Sequence, residues 1–165
     1  MIQPQRVRTA AFRMLYQLDA AGAADPPSDA ELDAVRAAAE SNESADEHPE
    51  ARVLRKAEAL ALAAYADRGQ ADALFEELSP AWPVSRQPAV DRAILRLAHH
   101  EMASGRTPPR VAIDEAIELA RAYSTEKSPA FVNALLDEAM RWLEMNVQAE
   151  TDSAAPATRP ETEAC

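Results

Sequence analysis

The chain has 165 residues, a formal charge of −11 and a single cysteine, Cys165; that length fits one domain with a real core and makes two improbable. One cysteine excludes an intrachain disulfide framework and a cysteine-based metal site, and a reducing cytosol suits it best. No apolar run reaches the roughly 18 residues of a membrane span, and MIQPQRVRTA lacks the apolar core of a secretory signal, so a soluble, untargeted cytoplasmic protein without membrane contact is expected.

The acidic excess is local. Residues 22–50 carry nine acids against Arg36 alone, and residues 147–165 carry Glu150, Asp152, Glu161 and Glu163 against Arg159. Together these segments hold the whole excess, so the remaining chain is formally neutral and able to turn a basic face to an anionic partner.

The composition, heavy in Ala, Leu, Glu and Arg with only three Gly and three Phe, contains no stretch that alternates apolar and polar β-branched residues. An all-α domain of about seven helices follows. From Pro4 to Ala20, Val7, Ala11, Met14, Leu15 and Leu18 recur at helical spacing. The first turns of that helix hold Arg6, Arg8 and Arg13 with no acid before Asp19, although the helix dipole favours acids there. Helix stability does not explain that basic start, which suits an anionic partner.

Ala21 to Pro49 is a low-complexity acidic stretch, expected to be largely mobile, with one short helix over Ser28–Glu40 capped by Ser28 or Asp29 and striped by Leu32, Val35 and Ala39. Ala51–Ala66 predicts a helix through Val53, Leu54, Ala57, Leu60, Ala61 and Ala64, which Gly69 closes, and Asp72–Leu78 another. The three prolines of Ser79–Pro88 mark a connection whose Trp82 is expected to plug the core. Pro88–Ser104 has so wide an apolar surface, through Val90, Ile94, Leu95, Leu97 and Ala98, that it should sit centrally with Asp91, Arg92 and Arg96 at its edges. Thr107 opens a helix that turns Val111, Ile113, Ala116, Ile117 and Ala120 inward and Asp114, Glu115 and Glu118 outward. Ser128 is expected as N-cap of the last helix, with Pro129 at its first position and Val132, Leu135, Leu136, Ala139, Met140 and Leu143 buried. The domain is thus set at residues 1–146, with a disordered tail from 147 to 165.

Chemistry for catalysis is missing from the pattern. Adjacent His99 and His100 point about 100° apart on a helix and do not converge on a metal. The three glycines are isolated, so no phosphate loop exists, and no Ser or Cys stands in a nucleophile context. No metal, cofactor or enzymatic activity is expected.

The polar hinge between the last two helices is the better candidate. Tyr123 and Phe131 bracket Thr125, Lys127 and Ser128, and aromatics beside hydroxyls and a cation are the components of single-stranded RNA recognition. Phe131 is equally a core residue by spacing, Tyr16 carries the same ambiguity, and Asn133 suits a structural amide.

QRVRTAAFRMLYQLDA, DRAILRLAHHEM and RVAIDEAIELARAYSTEKSPAFVNALLD, with Trp82 upstream of the DRAILRLA stretch, resemble the NusB family over roughly residues 5–20 and 70–143. That resemblance implies an all-helical domain of two subbundles that suppresses transcription termination without enzymatic activity. It implies binding of boxA-type RNA of ribosomal RNA leaders as a pair with NusE, a small-subunit ribosomal protein, and entry into the RNA polymerase elongation complex with other Nus factors. Carried over residue by residue, it assigns RNA contact to Arg6, Arg8, Tyr16, Tyr123, Lys127, Ser128 and Phe131, and contact with NusE to Asp91. Some members self-associate, and a homodimer is left open. The chain departs from the family in an opening broken by Gln5, Val7 and Thr9, in Ser124 where a glycine is common, in Lys127 where an acid is common, and in the acidic expansion at 22–50, which could fold back over the basic surface as a competitor for RNA. Two other readings compete: a stand-alone relative of the NusB-like N-terminal domain of ribosomal RNA cytosine methyltransferases, and a helical interaction module that has lost RNA binding.

Overall fold

The computed structural model describes residues 3–22, 27–40 and 48–153. Seven α-helices carry the described chain: α1 (Pro4–Ala20), α2 (Asp29–Glu40), α3 (Pro49–Ala66), α4 (Arg68–Leu78), α5 (Ala89–Ala103), α6 (Pro109–Tyr123) and α7 (Ser128–Ser153), with a 3-10 turn at Val84–Arg86. No strand occurs among the described residues. None of these helices is long and apolar enough to cross a membrane. The connection at 23–26 and 41–47 and the tail beyond Ser153 lie outside the described residues, and with them most of what the sequence predicts for mobility.

Local chemistry sets most boundaries. Proline occupies the first turn of α1, α3 and α6, where its missing N–H costs no hydrogen bond. At α2 the Ser28 backbone N–H and hydroxyl donate to Glu31 Oε2 at 2.8 and 2.7 Å, and the Glu31 N–H returns to Ser28 Oγ at 3.4 Å, a reciprocal capping box that confirms Ser28 as the cap. Gly105 takes φ 68°, the left-handed conformation that ends α5, and the Thr107 N–H then reaches back to the Glu101 carbonyl at 3.2 Å.

The helices form two groups. α1 and α2 each pack on α3, and α4 to α7 form the second group. α5 joins them, because α1 and α3 both pack against it. Its central place is what its wide apolar surface predicts, and every residue from Ala93 to Met102 is buried.

The polar residues of α5 depart from expectation. A helix buried along most of its length leaves little solvated edge, so most of its polar side chains find partners on neighbouring elements; His99 Nδ1 is the exception, buried without a hydrogen-bond partner among the described residues. Asp91 reaches the hinge between α6 and α7, Arg92 and Arg96 reach Asp19 of α1, Arg96 also reaches Asp72 of α4, His100 reaches Asp67 before α4, and Glu101 reaches Arg8 of α1. Burial works against the charge of Asp19, but the hydrogen bonds of Arg92 and Arg96 outweigh it and hold the carboxyl below its ordinary 3.8.

Other differences have simple causes. Gly69 does not close α3: Asp67 separates the helices, and α4 begins at Arg68 with Gly69 in its first turn. Trp82 does not plug the core. The 3-10 turn rotates Val84 inward instead, its N–H held by Glu76 Oε1 at 2.9 Å, and leaves Trp82 42% exposed under the Arg86 guanidinium. Val111 is exposed because the inward stripe of α6 is centred on Ala112, Ile113, Ala116, Leu119 and Ala120. Phe12 and Leu119, absent from the predicted stripes, are buried, whereas Leu54 of α3 is exposed. α7 continues past Val147 to Ser153, so the first residues assigned to the tail are helical.

Candidate nucleic-acid interface

The basic start of α1 divides into two faces. Residues 6, 9, 13 and 16 follow a spacing of three and four and share one side of the helix, while residues 8, 11, 12 and 15 share the other. Arg6, Arg13 and Tyr16 are exposed; Arg8, Ala11, Phe12 and Leu15 are buried.

Arg8 therefore belongs to the interior, and its predicted role as a surface phosphate contact is corrected. Its Nε and Nη2 both donate to the Glu101 carboxylate at 2.9 Å, and Nη1 lies 3.3 Å from Glu115 Oε2. Thr107 Oγ1 donates to Glu101 Oε1 at 2.9 Å and completes the cluster. Burial opposes the Arg8 charge, but the hydrogen bonds and attraction of the two glutamates outweigh it and raise its pKa. A guanidinium 6% exposed and held by two carboxylates has little left for a ligand.

Asp91 and Ser128 likewise move inside. The hydroxyls of Ser124 and Ser128 donate to the two oxygens of the Asp91 carboxylate, the latter at 2.9 Å, and the Thr125 hydroxyl lies 2.8 Å from Ser128 Oγ. Asp91 is 3% exposed, so it fixes the hinge from beneath and offers no direct surface to a protein partner. Ser128, also 3% exposed, turns its hydroxyl to that carboxylate and does not cap α7 from outside. It stands as the first residue of α7, with its N–H on the Thr125 carbonyl.

On the outer side the hinge meets α1. The Tyr123 ring, 40% exposed, rests on buried Phe12 with centroids 5.2 Å apart, and its hydroxyl accepts a 2.8 Å hydrogen bond from Arg13 Nη2. The phenol is thus held from below and at its edge while part of its surface stays open. Lys127 is exposed in the same hinge. Phe131 is half-buried against the core, as its helical spacing allows. Asn133 is exposed and lines a groove with Ile117, Arg121, Ser124 and Thr125, where a satisfied structural amide was expected.

A second groove runs between α1 and α3, lined by Gln5, Arg6, Thr9, Arg13, Glu50 and Leu54. Neither Arg6 nor Arg13 has a carboxylate within 4 Å among the described residues, whereas Arg8, Arg92 and Arg96 all do. The described part of the acidic expansion, α2, packs on α3, and Glu50 at its end stands in the wall of this groove.

Along most of its length the chain is similar to known proteins. The sequence model of the NusB family matches residues 5–141. The transcription antitermination protein NusB of Rubrobacter xylanophilus is 39% identical over 130 residues, covering 78% of this chain and 84% of that protein. Its namesake in Roseiflexus castenholzii is 37% identical over 135 residues, covering 79% and 87%. With the one in Saccharopolyspora erythraea the identity rises to 51% over 73 residues, a stretch that spans about half of that protein, 49%. The solved structure of T. maritima NusB superposes with a TM-score of 0.62 at 29% identity, over 86% of this chain and 93% of that one.

Proposed function

The chain belongs to the NusB family, and from that premise we propose that it is a transcription antitermination factor that binds boxA-type single-stranded RNA together with NusE. The observation that carries RNA contact is the division of the α1 arginines. Arg6 and Arg13 stand without carboxylate partners among the described residues, on the face that meets the half-exposed Tyr123 ring. An unstacked base would rest on that ring while Arg6 and Lys127 meet the backbone, so phosphates position the strand and ring contacts select it as single-stranded. Tyr16, exposed on the same side of α1, extends the surface. Asp91, buried under the hinge, supports this surface by fixing Ser124 and Ser128. The RNA–NusE complex would then join the elongating RNA polymerase with other Nus factors.

Titration of labelled boxA RNA with the protein, alone and with NusE, at several salt concentrations tests the reading. Tighter binding with NusE, and affinity that falls linearly in log salt, are the expected results. No gain on adding NusE would overturn the paired mode of binding.

A further inference from the structure

Among the described residues, Arg13 is the only point where the two halves of the candidate interface touch through a side-chain hydrogen bond, Arg13 Nη2 to Tyr123 Oη at 2.8 Å. Besides that contact, the guanidinium carbon lies 5.5 Å from the centre of the Tyr123 ring, and the side chain also lines the α1–α3 groove beside Arg6 and Thr9. It is exposed and has no carboxylate within 4 Å among the described residues.

We infer that Arg13 is a further RNA-contacting residue, which positions the Tyr123 ring for base stacking and holds the adjoining phosphate, leading the strand from the hinge toward the α1–α3 groove. The inference rests on the reading of this chain as an RNA-binding protein and deepens it. A guanidinium carries five N–H donors in a planar fork, and the phenol oxygen takes one of them, so most of the fork is left for a phosphate. The same bond keeps the ring from swinging free. Phe12, 3% exposed, packs against the ring at a 42° tilt, and the 40% of Tyr123 that stays exposed can meet a base without ordering a mobile side chain on binding. The alternative is that Arg13 only ties α1 to the hinge.

The experiment compares Arg13→Ala, Arg13→Lys, Tyr123→Phe and the double variant Arg13→Ala/Tyr123→Phe in titrations of labelled boxA RNA with NusE present, across a salt series. Thermal midpoints are measured in parallel. Arg13→Ala is expected to weaken binding about tenfold and to reduce the slope of log K against log salt by about one. Arg13→Lys restores that slope, because the charge returns, but not the full affinity, because the fork that fixes the phenol does not. Tyr123→Phe keeps the ring and loses its anchor, a few-fold effect, and the double variant is weaker than wild type by less than the product of the two single effects. An Arg13→Ala protein with a lower thermal midpoint and an unchanged salt slope would overturn the inference in favour of a structural tie. Wild-type binding matched by Arg13→Ala in both affinity and slope would remove Arg13 alone. Absence of RNA binding by the wild type would remove the functional reading and this inference together.

Discussion

Arg8 and Arg13 lie on one helix, five residues apart, and meet opposite environments. Arg8 points into the interface between α1 and the α5–α6 pair, where Glu101 and Glu115 neutralise it; Arg13 points outward and ends on the oxygen of Tyr123. The difference teaches that a basic helix start is not one feature. The inner arginine joins two halves of the molecule through a desolvated ion pair, and the outer one keeps its charge available at the surface where the hinge arrives.

The largest effect that would separate them comes from Arg8→Ala. It strands Glu101 and Glu115 without their cation, and loss of one partner of a buried pair costs about 3 kcal/mol. Urea unfolding should show that loss, whereas Arg13→Ala should stay within about 0.5 kcal/mol of wild type. If Arg8→Ala kept its stability and lost RNA affinity with a smaller salt slope, the division into inner and outer arginines would be wrong.

Asp91→Ala sharpens the comparison from the other helix. It leaves the hydroxyls of Ser124 and Ser128 without their acceptor, at a cost of about 1–3 kcal/mol. Because those residues shape the hinge that carries Tyr123, RNA affinity measured below the unfolding transition should fall with it. An affinity unchanged in a destabilised protein would mean that the hinge holds its shape without the carboxylate.

The smallest effect belongs to His99, an inner group remote in role from the strip. Burial first, and then the charge of neighbouring His100, lower its pKa below the ordinary 6.5, against the pull of Asp67 and Asp72. The folded state then binds fewer protons than the unfolded one below pH 6.5, so stability falls as the pH drops through that value, by at most about 1.4 kcal/mol per pH unit. His99→Leu should flatten the dependence of the urea midpoint between pH 6.5 and 5.5 and leave RNA binding at pH 7 unaltered. An unchanged slope would mean that His99 does not set the acid sensitivity in this window, which lies above the range in which Asp19, held below 3.8, contributes.

Which candidate residues lie exposed was legible, though unevenly. Arg6, Tyr123 and Lys127, singled out for RNA, are exposed where such contacts need them, and Tyr16 is 39% exposed on the side of α1 that carries Arg6 and Arg13. Arg8 was misplaced although a signal existed: with Ala11, Phe12 and Leu15 it completes a three-four stripe, two residues and thus about 200° from Arg6. Arg13 was noticed as a charge and missed as a contact, because its partner is 110 residues away. Asp91 was placed at a helix edge facing a partner for the same reason; the hydroxyls that hold it come from the hinge, 33 and 37 residues on.

By itself the sequence determined the helical class, the seven segments, the central place of α5 and a cap at Ser28 or Asp29, since these follow from periodicity and from contacts within a few residues. Only the tertiary structure decided which charged side chains are neutralised inside and which remain outside. That choice depends on what stands opposite each one, and Glu101 opposite Arg8 is 93 residues away. Local pattern sets the face a residue occupies, while distant pairing sets whether its charge is still available to a ligand.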